Sequence, residues 1–123
     1  MIKRTHNCGE LTLNDVDSNV RLNGWISKTR DLGGLIFIDL RDRYGKTQIV
    51  FNEELNKKAF DCVKKLGLED VIGIEGVVIK RPEDAINNNM VTGSIDIEAS
   101  NIIVYNESSP TPFDIEDRTS ASE

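Results

Sequence analysis

Histidine occurs once in this 123-residue chain, at position 6, and cysteine twice, at 8 and 62. A lone His6 near the N-terminus supports no Ser/His/Asp or Cys/His nucleophile system. Cys8 and Cys62 lie far apart without metal-ligand spacing, so they read as free thiols in a reducing compartment, and no metal site is expected. No apolar run approaches the roughly 20 residues of a membrane-spanning helix. The first ten residues, MIKRTHNCGE, have no apolar h-region, so a cytoplasmic location is expected. P-loop and Rossmann glycine patterns are missing as well. Basic charge is not in excess: the net charge is −6 and the pI about 4.8. That balance excludes a non-specific duplex binder, whose affinity rests on a basic footprint.

The charge is unevenly placed. In residues 1–51 eight Lys or Arg face six Asp or Glu, and in residues 52–123 seven face fifteen. A mildly basic first half on an acidic chain suits a short single-stranded loop. The length suits one domain.

The apolar pattern supplies the elements. Residues 1–19 form a lead-in with weak helical signals around Leu13 to Asp17. Val20, Leu22 and Ile26 alternate with polar residues as a first strand interrupted by Gly24. DLGG, from Asp31 to Gly34, is a loop whose glycines are free to take positive φ. Leu35 to Leu40 is a second strand and Thr47 to Phe51 a third, joined by a charged turn from Arg41 to Lys46. Ile36, Ile38, Leu40, Ile49 and Phe51 are the core candidates. Their parity sends Phe37, Asp39 and Gln48 to the opposite side. Asn52 reads as a helix N-cap, with the stripe Leu55, Ala59, Cys62, Val63 and Leu66 and with Gly67 at the C-terminal cap. A long strand follows from Val71 to Lys80, where Gly73 and Gly76 suggest bending or a bulge. Arg81 to Gly93 is a polar connection. Ile95, Ile97 and Ala99 open a fifth strand whose phase slips around Ser100 and Asn101.

The order β-β-β-α-β-β predicts an all-β chain, a five-stranded antiparallel barrel with one helix between strands three and four: an OB-fold. It is expected over residues 1–106. Residues 107–123, with two prolines and clustered Ser, Thr and acid, read as a linker towards something longer.

Two groups stand out chemically on the side facing away from the core, and basic residues lie just upstream of them. Phe37 offers a ring for a base to stack on. Gln48 offers one acceptor and two donors to a base edge. Arg30, beside Lys28, offers a fork of donors to a base or phosphate. Asp39 and Asp42 could be paired as general acid and base. The plainer reading is that Asp42 bonds its own turn backbone and Asp39 pairs with an arginine. Arg41 and Arg43 read as solvated charges. No residue is assigned a catalytic role.

The run GWISKTRDLGGLIFIDLRDRYGKTQIVF, with RTHNCGEL before it and NNNMVTGSIDIEAS after it, resembles the N-terminal anticodon-binding domain of bacterial-type aspartyl-tRNA synthetases. The resemblance covers nearly the whole chain, and RDLGGLIFIDLRDR is its most specific part. It implies that the intact enzyme is a class II aspartate–tRNA ligase. Such an enzyme uses ATP and Mg²⁺ and works as a homodimer. The present chain would then be inactive alone, a monomer that binds the anticodon loop of tRNA(Asp).

By position, the resemblance places Phe37 on the central anticodon base, a uracil, and Gln48 on the edge of that base. Arg30 would meet the third base, a cytosine. Asn87 and Asp96 would lie near the first base, with Arg81, like Lys28, close to the RNA backbone. The chain departs from the family pattern at Ala85, usually Asn, at Asp96, usually Glu, and at Lys28, usually Arg. The shorter Asp96 makes a bridging water the expected route to the first base. An OB module that binds single strands without sequence preference is the alternative. A protein-interaction surface using Trp25 or Tyr44 is a third.

Overall fold

The computed structural model describes residues 3–88, 90 and 92–106. Five strands form a closed barrel: β1 (Asn19–Asp31), β2 (Leu35–Asp42), β3 (Gly45–Asn52), β4 (Val71–Lys80) and β5 (Ile95–Asn106). Around the barrel the order is β1-β2-β3-β5-β4. One helix, α1 (Lys57–Lys64), lies between β3 and β4. The expected linker, residues 107–123, lies outside the described residues.

The barrel departs from the expected antiparallel set at one seam. β3 and β5 pair in parallel, Ile49 with Ile97 and Val50 with Glu98, while the other four pairings are antiparallel. A ring of five strands cannot alternate direction all the way round, so closure forces one parallel pair. The gain is a sheet without an open edge.

Period two decides the core. Val20, Leu22, Ile26, Ile36, Ile38, Leu40, Ile49, Phe51, Ile72, Ile74, Val78, Ile95 and Ile97 point inward and are buried. Val50 is buried as well, although its parity places it outside. The phase slip expected in the fifth strand is present. Glu75 pairs with Asn101 and Gly76 with Ala99, so Ser100 is an extra residue in β5. Such a bulge sharpens the bend that closes a small barrel. In the first loop Gly33 takes φ +86, while Gly34 does not take a positive φ.

The helix starts later than the sequence suggests. Asn56 is its N-cap, accepting from the Ala59 amide at 3.1 Å. The expected cap, Asn52, still pairs with Leu35 as the last residue of β3. Its side chain accepts from the Glu54 amide at 2.9 Å, a local turn that competes with helix. The shift moves Leu55 out of the stripe, to 63% exposure, and brings Phe60 into the core beside Ala59 and Val63. Asn56 also donates its side-chain amide to the carbonyl of the bulged Ser100. The helix start is thereby tied to the bulge in β5. At the other end the chain leaves through Lys65 in a right-handed conformation, so Gly67 does not serve as a left-handed cap.

The lead-in packs into the barrel's core. Cys8 and Leu11 are fully buried in the core, and Thr47 donates to the Cys8 carbonyl at 2.6 Å. The weak helical signal appears as a single 3₁₀ turn, Leu13–Asp15, with a Thr12/Asp15 capping box. Both cysteines are free thiols. Burial, with the Asp42 carboxylate beside it, pushes the Cys8 thiol far above its ordinary range and leaves it protonated.

Candidate nucleic-acid interface

Strand register, not loop placement, assembles the outer face of β1, β2 and β3. Arg30 pairs with Phe37, and Phe37 pairs with Val50. Two residues along, Lys28 pairs with Asp39 and Asp39 with Gln48. A bulge at Ser27 in β1 sets this phase, since Ile26 still pairs with Leu40. Without that extra residue Arg30 and Lys28 would turn to the other side of the sheet. Two adjacent rows therefore carry the four expected groups Lys28, Arg30, Phe37 and Gln48 on one surface.

Phe37 and Gln48 are half-buried, and Lys28 and Arg30 are exposed. The Arg30 guanidinium carbon sits 5.3 Å from the centre of the Phe37 ring. That contact holds a long side chain against a flat one and keeps its charge at the platform. A ring, an amide and two cations in reach of one another can stack a base, bond its edge and neutralise a phosphate.

The β4–β5 connection is built differently. Arg81 and Asp96 are buried, at 4% and 7% exposure. The Arg81 Nε donates to Asp96 Oδ1 at 2.7 Å and to the Ile95 carbonyl at 3.1 Å. Its Nη1 donates to the Ala85 carbonyl at 3.2 Å. Nη2 is buried without a hydrogen-bond partner among the described residues. Asp96 has the parity of the outer face and senses the Asp39 carboxylate there. Burial pushes its carboxyl above the usual range, and Arg81 opposes that shift. Arg81, expected near an RNA backbone, is thus an internal clamp rather than a surface cation. The clamp joins the short 3₁₀ turn Glu83–Ala85 to the start of β5. Asn87 lies beyond that turn, half-buried, with its amide bonded to the Gly93 carbonyl at 3.0 Å.

The remaining candidates resolve plainly. Asp42 accepts from the amides of Tyr44, Gly45 and Cys8 at 2.8, 3.1 and 2.9 Å, so its carboxylate organises the turn. Asp39 stands across from Lys28 in the register. His6 lies 2.8 Å from the Thr5 hydroxyl. Among the described residues no group of three or more His, Cys, Asp or Glu is placed to hold a metal ion. A hollow of about 240 Å³ lies on another wall, lined by Arg21, Gly73, Ile74, Glu75, Asn101 and Ile103, and it contains none of the expected site residues. Sequence reasoning passed over Val50, whose branched side chain fills the outer face beside Phe37. The signal available was an apolar residue with polar-side parity.

A closed five-stranded barrel, with a helix between the third and fourth strands and a ring, an amide and cations on its outer wall, defines an OB-fold of the nucleic-acid-binding kind. The family of OB-fold nucleic acid binding domains of the tRNA anticodon type matches residues 20–105, and the chain belongs to it. It is 50% identical, over all 123 residues, to the aspartate–tRNA(Asp/Asn) ligases of Bacillus mycoides and Bacillus anthracis. It spans 21% of the length of those proteins. Among solved structures, asparaginyl-tRNA synthetase from Pyrococcus horikoshii superposes with a TM-score of 0.73 at 26% identity, over 93% of this chain and 25% of that one. OBody AM2EP06, solved bound to hen egg-white lysozyme, superposes with a TM-score of 0.76 at 25% identity, over 88% of this chain and 98% of that one.

Proposed function

We propose that this chain is the anticodon-recognition domain of an aspartate–tRNA ligase and that its outer β1–β2–β3 face reads the anticodon loop. The observation that carries the reading is the common surface of Arg30, Phe37 and Gln48. Phe37 stacks on the central base, Gln48 bonds that base's edge, and Arg30 meets the third base. Lys28 takes a phosphate. Support for the aspartate assignment comes from the half-identical relatives named for that activity.

Recognition of the first base follows a different route. Asn87 is the group that meets it, and Arg81 with Asp96 holds the loop on which Asn87 sits. The intact ligase would be a cytoplasmic homodimer using ATP and Mg²⁺. Those groups serve chemistry outside this chain, so no step of aminoacylation is assigned to its residues.

The test is a titration of the chain with anticodon stem-loops of tRNA(Asp) and tRNA(Asn), against random single-stranded DNA of equal length. Binding of the stem-loops well ahead of the DNA is expected. Equal affinity for both would replace this reading with a sequence-tolerant OB module.

A further inference from the structure

The turn between β2 and β3 holds a second cluster that the platform does not use. Tyr44 is 54% exposed. The guanidinium carbon of Arg4, from the lead-in, lies 5.1 Å from the centre of its ring, and that of Arg43 lies 5.7 Å away. Arg41 and Lys46 pair across the base of the same turn. They share the parity of Asp39 and Gln48 and so continue the outer face. At about 3.3 Å per residue, Arg41 stands roughly 13 Å along β2 from Phe37.

Charge and rigidity both favour an anionic partner. Four cations gather here in a chain whose net charge is −6. The one acid in the turn, Asp42, has its oxygens engaged by three backbone amides, and the Arg4 Nη1 is 4.0 Å from it. The turn is held from two sides. Gly9 and Gly45 pack backbone to backbone, where a side chain on either would collide. Thr92 of the β4–β5 loop donates to the Lys46 carbonyl at 2.6 Å. A guanidinium stacked on a ring keeps its edge N–H groups for a phosphate, and the ring restricts where it can go.

We propose that Arg4, Arg43 and Tyr44, with Arg41 and Lys46, form a second RNA contact that grips the sugar–phosphate backbone flanking the anticodon bases. The proposal rests on the anticodon reading above and extends its footprint. The contact gives affinity without choosing among bases, because it meets phosphates rather than base edges. Its neighbour across the Thr92 bond is the loop assigned to the first base. The phosphates it takes therefore belong to nucleotides on that side of the anticodon.

The experiment measures stem-loop affinity of the 123-residue chain as a function of salt. Arg4→Ala with Arg43→Ala should weaken binding about tenfold at low salt and flatten the slope of log K against log salt by about 1.4, as for two lost phosphate contacts on a single strand. The loss should be equal for every anticodon base variant. Tyr44→Ala, which keeps both charges, should give a smaller loss of the same kind. Lys58→Ala in α1 with Lys65→Ala at its C-terminal cap (the α1 variant) removes equal charge elsewhere and should leave the slope unchanged. An unchanged slope in the arginine variant, an equal drop in the α1 variant, or a loss confined to one base variant each overturns the proposal. In all three cases the anticodon reading stands, provided Phe37→Ala still weakens binding. No stem-loop binding by the parent chain would sink both.

Discussion

The β1–β2–β3 face and the β4–β5 loop both use an arginine and a partner, but they differ in where water is. On the face, Arg30 rests on Phe37 at the surface, and the pair is placed by register alone. In the loop, Arg81 meets Asp96 with both side chains at or below 10% exposure. An exposed cation remains available to a ligand, and its loss costs the fold little. A buried one is enclosed by the protein and withheld from a ligand. Arg81 donates to Asp96, Ile95 and Ala85. On the proposed reading the face serves as the reader and the loop clamp as the scaffold. Removing a group from each should separate binding from stability.

The largest effect is expected at the clamp. Arg81→Ala leaves the Asp96 carboxylate buried without its cation and should cost about 3–5 kcal/mol of folding stability. Urea unfolding would measure it. A loss below about 1 kcal/mol would mean that water reaches the pair and that the contrast with the face is false. Arg81→Lys keeps the charge but lacks the planar fork that spans three acceptors. It should recover part of the stability while first-base discrimination stays impaired. Phe37→Ala should do the reverse. Its affinity for the anticodon stem-loop should fall by about 1–3 kcal/mol, with a smaller change in unfolding than Arg81→Ala. Unchanged affinity on titration would remove the stacking role.

The two regions also differed in how far they could be read from sequence, for a physical reason. Ile36, Ile38 and Leu40 claim one side of β2 by period two, so the side of Phe37 follows from local pattern. Asp96 has the same kind of pattern, flanked by Ile95 and Ile97, and its outward parity was equally legible. Its burial was not, because the covering groups arrive from residues 81–85, which are remote in sequence and irregular. The helix start was missed for a related reason. Asn52 and Asn56 are both good caps, and β3 pairing with Leu35 decides between them. The parallel β3–β5 seam follows from counting strands round a closed ring, which alternation within a strand does not reveal. The turn cluster lay in plain view as Arg43 and Tyr44, yet its third member, Arg4, comes from the lead-in.

The smallest effect is the most selective and sharpens the contrast furthest. Gln48 is half-buried and sits across from Asp39 in the row next to Phe37. Losing one neutral hydrogen bond to a base edge is worth about 1 kcal/mol. Gln48→Ala should therefore weaken the cognate stem-loop only several-fold. Its signature is in the comparison among bases. A stem-loop with a substituted central base already lacks the matching edge, so the variant should bind it much as the parent chain does, and discrimination at that base should shrink. Arg81→Lys should instead shrink discrimination at the first base while sparing the central one. If Gln48→Ala weakens all central-base variants in parallel, the amide supports the platform rather than reading it. The face and the clamp would then differ in exposure without differing in role.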